Sequence, residues 1–163
     1  MKPGMRVTIL PVSGRPYRMT IPVDEQELAD AVMGHLVLPN VSYLREHGAP
    51  RFLDMARSGR IVYGRDPDEL WATIPWCISM GVIDCEDAAA WLTADDRVYE
   101  GIDSYAGVYH SRPGGPYHVI VARPGPASAG EIAIGNADGM TLIDAARMIG
   151  MGTSRTYPVQ RRF

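Results

Sequence analysis

Hydrophobic and polar positions alternate twice near the start of the chain, in Arg6-Val7-Thr8-Ile9 and in Tyr17-Arg18-Met19-Thr20-Ile21, with Ser13-Gly14 between them as turn residues. A period of two predicts an N-terminal β-hairpin. The period then lengthens. Leu28, Val32 and Leu36 recur every four residues behind Asp24, Glu25 and Glu27, so an acidic first turn leads an amphipathic helix that should end between Val37 and Pro39. Asn40 is placed to cap a second helix through Val41, Tyr43 and Leu44, closing near His47-Gly48. Residues 49 to 60 carry no clear period.

Ile61-Val62-Tyr63 reads as a short strand, and Asp66-Pro67-Asp68-Glu69 carries the proline and acidic residues favoured at a helix start. Pro75 should interrupt that helix or begin another, and Gly81 punctuates the chain before the next element. From Asp84 to Thr93 the run Ala88-Ala89-Ala90-Trp91-Leu92 has good helix propensity and packing. Asp84 as N-cap with Asp87 three residues on resembles a capping box. Beyond Gly101, Tyr105 to His110 and Tyr117 to Val121 read as strands joined by Pro113-Gly114-Gly115-Pro116, most simply as a hairpin. The pattern is that of a compact mixed domain with no internal repeat.

A length of 163 residues predicts one domain that buries an ordinary core without staples. The two cysteines, Cys77 and Cys85, are too few for a disulfide framework and form no close Cys/His cluster of the zinc kind. No run approaches the roughly 20 apolar residues of a membrane span, and Met1-Lys2-Pro3-Gly4 does not open a signal peptide. A soluble, cytoplasmically made protein with no membrane partner is expected. The net charge of -3 argues against an electrostatic nucleic-acid binder. The basic tail residues Arg155, Arg161 and Arg162 read as solvated charges.

The candidate chemistry centres on Cys85, His118 and Asp144. In that order they supply a thiol nucleophile, a base and an orienting carboxylate, the parts that acyl transfer through a thioester needs. Cys85 falls in the first turn of a helix, whose positive end lowers a thiol pKa. Asp84, Glu86 and Asp87 oppose that unless they point away or are paired, so an imidazolium partner is needed. His118 lies between Tyr117 and Val119-Ile120-Val121, in a strand rigid enough to hold a base; His110 competes with it. Asn136 and Asp138 are alternative orienting groups, but they sit among glycines as turn residues do, and Asp144 is favoured. A buried structural cysteine and a core histidine are the plain alternatives. Trp71, Trp76 and Trp91 are expected to pack around the cysteine helix. No ATP loop, dinucleotide fingerprint or metal-ligand motif is present, so no cofactor is expected.

Three blocks, Asp84-Cys85-Glu86-Asp87-Ala88-Ala89-Ala90-Trp91, Tyr117-His118-Val119-Ile120-Val121 and Ile143-Asp144-Ala145-Ala146-Arg147-Met148-Ile149-Gly150-Met151, together resemble the transglutaminase-like cysteine-peptidase proteins encoded among the structural genes of tailed bacteriophages and prophages. The segment from Tyr43-Leu44-Arg45 through Tyr63-Gly64-Arg65 to Trp71 and Pro75 resembles the lead into their cysteine helix. The resemblance implies a papain-like α+β core in which the cysteine-bearing helix packs on an antiparallel sheet bearing the histidine and aspartate. On that basis residues 1–163 form one transglutaminase-like domain, with a hairpin and helices over about 1–60 preceding a catalytic-type core over about 61–152. Cys85, His118 and Asp144 carry over as nucleophile, general base and orienter. Where similar proteins have Asp-Pro-Ser this chain has Asp144-Ala145-Ala146, losing a rigidifying proline. Implied with the fold are a protein or peptide substrate, phage structural proteins as partners, and a place in the bacterial host cytoplasm during assembly or in the virion. Two other functions fit the residues: a non-catalytic virion or assembly protein that keeps the fold as a scaffold, and a metal-binding or redox module using Cys85, His110 and His118.

Overall fold

The computed structural model describes residues 4–21, 26–48, 50–64, 68–110, 117–122 and 129–130. The N-terminal alternation forms β1 (Met5–Leu10) and β2 (Tyr17–Ile21), paired antiparallel with Val7 opposite Met19. Val7 and Ile9 are buried while Arg6 is exposed, as a strand with one face on the core requires. β1 is the central strand of three. Its other edge pairs in parallel with β4 (Leu70–Ala72), so the sheet is mixed, in the order β2-β1-β4.

α1 (Gln26–His47) is one continuous helix with Pro39 inside it. This corrects the expected break into two helices. A proline in a helix interior removes a hydrogen bond and crowds the preceding turn, but Val32, Leu36, Val37, Val41 and Leu44 are all buried on either side of Pro39. Burial at about 25 cal/mol per Å² over several such side chains outweighs a local cost of about 3 kcal/mol. Asn40 does not cap α1. The expected end at His47-Gly48 is observed: Gly48 adopts φ 71° and donates its N–H to Leu44 O at 2.7 Å. The acidic residues Asp24 and Glu25 lie outside the described residues.

Residues without a readable period contain a short helix, α2 (Phe52–Arg57). β3 (Val62–Tyr63) runs parallel to β5 (Val82–Ile83). The helix expected to start at Asp66 to Glu69 does not run on into Leu70–Ala72, which is extended as β4; positions 65–67 lie outside the described residues. Tertiary pairing wins over the local signal. β4 finds a ladder partner in β1, and Thr73 ties it down by donating both its N–H and its Oγ1–H to Leu10 O, at 3.0 and 2.8 Å. Pro75 does begin a new helix, α3 (Ile74–Met80), which ends at Gly81 with φ 71° and the Gly81 N–H on Cys77 O.

α4 (Cys85–Asp95) is buried over its whole length, and a π-helical turn over Asp96–Glu100 extends it. A helix buried all round must be small on the faces that others approach closely, and Ala88, Ala89, Ala90 and Ala94 supply that. It packs against α1, α2, β6 (Tyr105–His110) and β7 (Tyr117–Ala122). Phe52 meets Trp91 edge to face, 5.7 Å between ring centroids. Trp71 and Trp91 are buried as expected, and Trp76 is half-buried with its indole N–H on Pro11 O at 2.9 Å. β6 and β7 pair antiparallel from Tyr105 opposite Ala122 to His110 opposite Tyr117, and β8 (Ala129–Gly130) adds to β7. The expected linker at 113–116 lies outside the described residues. The molecule is therefore α+β. Among the described residues no helix is long and apolar enough to cross a membrane.

Candidate functional site

Cys85 is the first residue of α4, and Asp84 precedes it in extended backbone as the N-cap residue. The capping box is not formed: the Asp84 side chain makes no cap hydrogen bond, and Asp87 turns to β4, where its Oδ1 accepts the Ala72 N–H at 2.6 Å. A buried edge N–H captures the carboxylate that sequence spacing assigned to the helix end. The first turn of α4 still carries the positive pole of the helix, with the Glu86 N–H engaged by its own carboxylate.

The thiol sits between a helix and a strand. Cys85 is 9% exposed, and the backbone N–H of Val119 in β7 donates to its sulfur. Val119 follows His118 directly, so β7 brings the backbone of the proposed base against the proposed nucleophile. His118 stands opposite Tyr109 in the β6–β7 ladder. The His118 and His110 side chains, and Asn136, Asp138 and Asp144 altogether, lie outside the described residues.

The second neighbour of the thiol is one that sequence reasoning noted only as a negative charge. Cys85 Sγ–H donates to Glu86 Oε2 at 3.1 Å, and Glu86 is 1% exposed. Burial, with the Glu86 and Asp84 charges behind it, pushes the Cys85 thiol well above its usual range. These effects outweigh the lowering by Val119 N–H. Glu86 is itself pushed up to about 7, first by burial and then by the Glu69 charge, while hydrogen bonds to Cys85 and Asp84 pull the other way. Glu69 adopts φ 49°, the left-handed region that costs a side chain of its size, and its carbonyl accepts the Thr8 N–H at 3.0 Å. The signal that could have revealed the pair is its adjacency in the first helical turn, where a long side chain at the second position reaches back over the first.

Searches against protein-family models, curated proteins and solved structures found no match.

The other thiol is different in kind. Cys77 is buried in α3 with its S–H 3.5 Å from Ala72 O, and burial, then the Asp87 and Asp84 charges, raise its pKa well above the usual value. Both cysteines are free thiols. Beside the start of α4 lies a cavity of about 160 Å³ walled by Leu70, Met80, Val82 and Ile83, with Asp84 and Asp87 at one side. Val82 and Met80 are exposed, and Cys85 is not part of this wall. Among the described residues no group of three His, Cys, Asp or Glu side chains could hold a metal ion.

Proposed function

We propose that this chain is a thiol acyltransferase or peptidase of the phage transglutaminase-like type, with a papain-like core, Cys85 as nucleophile, His118 as general base and Asp144 as its orienter. The observation that carries the reading is the hydrogen bond from Val119 N–H to Cys85 Sγ, which sets β7 against the start of α4. A base borne by β7 at position 118 is then one residue from the strand amide that touches the sulfur. Support also comes from the position of Cys85 as the first residue of α4, at the positive end of the helix. In the proposed reaction His118 takes the proton of Cys85, the thiolate attacks a carboxamide or peptide carbonyl, and a thioester forms as an amine or ammonia leaves. The first-turn amides of α4 stabilise the oxyanion, and water or a lysine amine resolves the thioester. The substrate in this reading is a protein or peptide, with other phage structural proteins as its source, met in the host cytoplasm during assembly or within the virion.

A second reading has its own observation. The Cys85 thiol, raised by burial and held by Glu86, suits a non-catalytic assembly protein that retains the fold as a scaffold. Acyl transfer to Cys85 separates the two. Incubation with 4-nitrophenyl acetate, read by intact-mass and peptide mass spectrometry, is expected to acetylate Cys85 and spare Cys77. His118→Ala should slow acetylation by about 10²-fold or more, the usual contribution of a general base. Equal labelling of native and His118→Ala chains would remove the enzyme reading and leave the scaffold.

A further inference from the structure

The Cys85–Glu86 contact does more than fill space. With a thiol and a carboxyl buried together and joined at 3.1 Å, ionisation of the sulfur depends on the charge of its neighbour. We propose that Glu86 is a built-in restraint on Cys85, its carboxylate holding the sulfur as a neutral thiol until that charge is neutralised or turned away. The inference rests on Cys85 being the reacting thiol of the acyl-transfer reading, and it adds a positioning residue which that reading does not contain.

The geometry dictates the sign. While Glu86 carries its charge, it accepts the S–H, and ionising the sulfur would put a second negative charge 3.1 Å away in a dry site. The surroundings reinforce this. Asp84 from the segment before α4 turns its charge on Cys85 and a hydrogen bond on Glu86 that favours the carboxylate, Glu69 from the segment before β4 turns its charge on Glu86, and from β7 the Val119 N–H faces the sulfur. Asp87, the remaining carboxylate of the turn, is occupied with Ala72 N–H and contributes its charge to Cys77 on the α3 side. The outside charges on the pair, Asp84 on Cys85 and Glu69 on Glu86, are both negative, so the pair accommodates one negative charge more readily than two. Such a pair titrates as a unit: the first proton lost belongs to Glu86 near pH 7, and the second, at alkaline pH, frees the sulfur. A basic group brought by a substrate against Glu86, or protonation of Glu86, lifts the restraint.

The test is the pH dependence of iodoacetamide alkylation at Cys85, with Cys77 as internal control, in the native chain and in Glu86→Gln. Removing a neighbouring charge lowers a thiol pKa by roughly 1–3 units. Because nucleophilicity falls with pKa, a rate gain of roughly three- to thirtyfold near neutral pH is expected, with Cys77 unchanged. An unchanged or slower Cys85 in a folded Glu86→Gln chain overturns the proposal. Should that variant not fold, the native profile decides. Two ionisation steps, the lower near pH 7, support the restraint, and a single step overturns it. The outcome is independent of the acetylation test: a Glu86 effect without a His118 effect leaves a restrained thiol in a scaffold, and the converse leaves an enzyme without the restraint.

Discussion

Two buried carboxyls, Glu86 and Asp95, make proton binding part of the folding equilibrium. Glu86 is raised from 4.5 to about 7 and Asp95 from 3.8 to about 6, in both cases chiefly by burial, although Asp95 Oδ2 accepts the Phe52 N–H at 2.7 Å. A raised acid binds its proton more tightly in the native than in the unfolded chain. The stabilisation is therefore complete below about pH 4 and is lost as pH rises through about 6 and 7. One pKa unit corresponds to about 1.4 kcal/mol, so these two groups contribute a decline of a few kcal/mol. Thermal unfolding followed from pH 5 to pH 8 should show Tm falling, and Glu86→Gln or Asp95→Asn should each flatten the fall. A native Tm that rises over that range, with no change in either variant, would contradict the assignment.

Elements are held to one another by single side chains that reach across the core. Asn40 of α1 is fully buried and its Oδ1 accepts the Ile74 N–H at 2.9 Å, so it satisfies the start of α3 and not the helix it belongs to. Asn40→Ala leaves that N–H without a partner in a dry site and should destabilise the fold by about 1–3 kcal/mol, measured by urea unfolding. Asp87 acts likewise on Ala72. These contacts explain what was legible in the sequence. The β1–β2 and β6–β7 pairs and the cysteine helix could be read because their signals are local: alternation, an alanine run, a glycine stop. The short strand at Val62–Tyr63 was legible too, but the unbroken α1, the strand at Leu70–Ala72 and the misassigned capping box were not, because the residues that decide them answer to burial and to partners elsewhere in the fold. For the site, the sequence located Cys85 at a helix start and His118 on a neighbouring strand. The orientation of Glu86 depends on what buries it and was not readable. At Gly81, where φ is 71° at the end of α3, Gly81→Ala should cost about 1 kcal/mol by the same unfolding assay, since a Cβ there meets backbone strain.

On the scale of the whole molecule, α4 is an axle that every neighbouring layer touches, with α1 and α2 among them and the β6–β7 pair alongside. The β2-β1-β4 sheet depends on a parallel ladder in which Thr8 meets Leu70 and Leu10 meets Ala72. Pairing across some sixty residues must wait for a large loop to close, and such contacts slow folding into the millisecond-to-second range. Refolding from urea by stopped flow should show this as a slow phase that Ile9→Ala, which empties a buried site on the central strand, retards or abolishes along with a stability loss of about 2–5 kcal/mol. The same ladder sets an order of events on the ribosome. Until β4 emerges, the early hairpin presents an open edge to solvent, and any chaperone or sister chain that binds there competes with the segment carrying Glu69. Glu69 leads directly into β4, so the charge it turns on Glu86 takes its place only when that ladder closes.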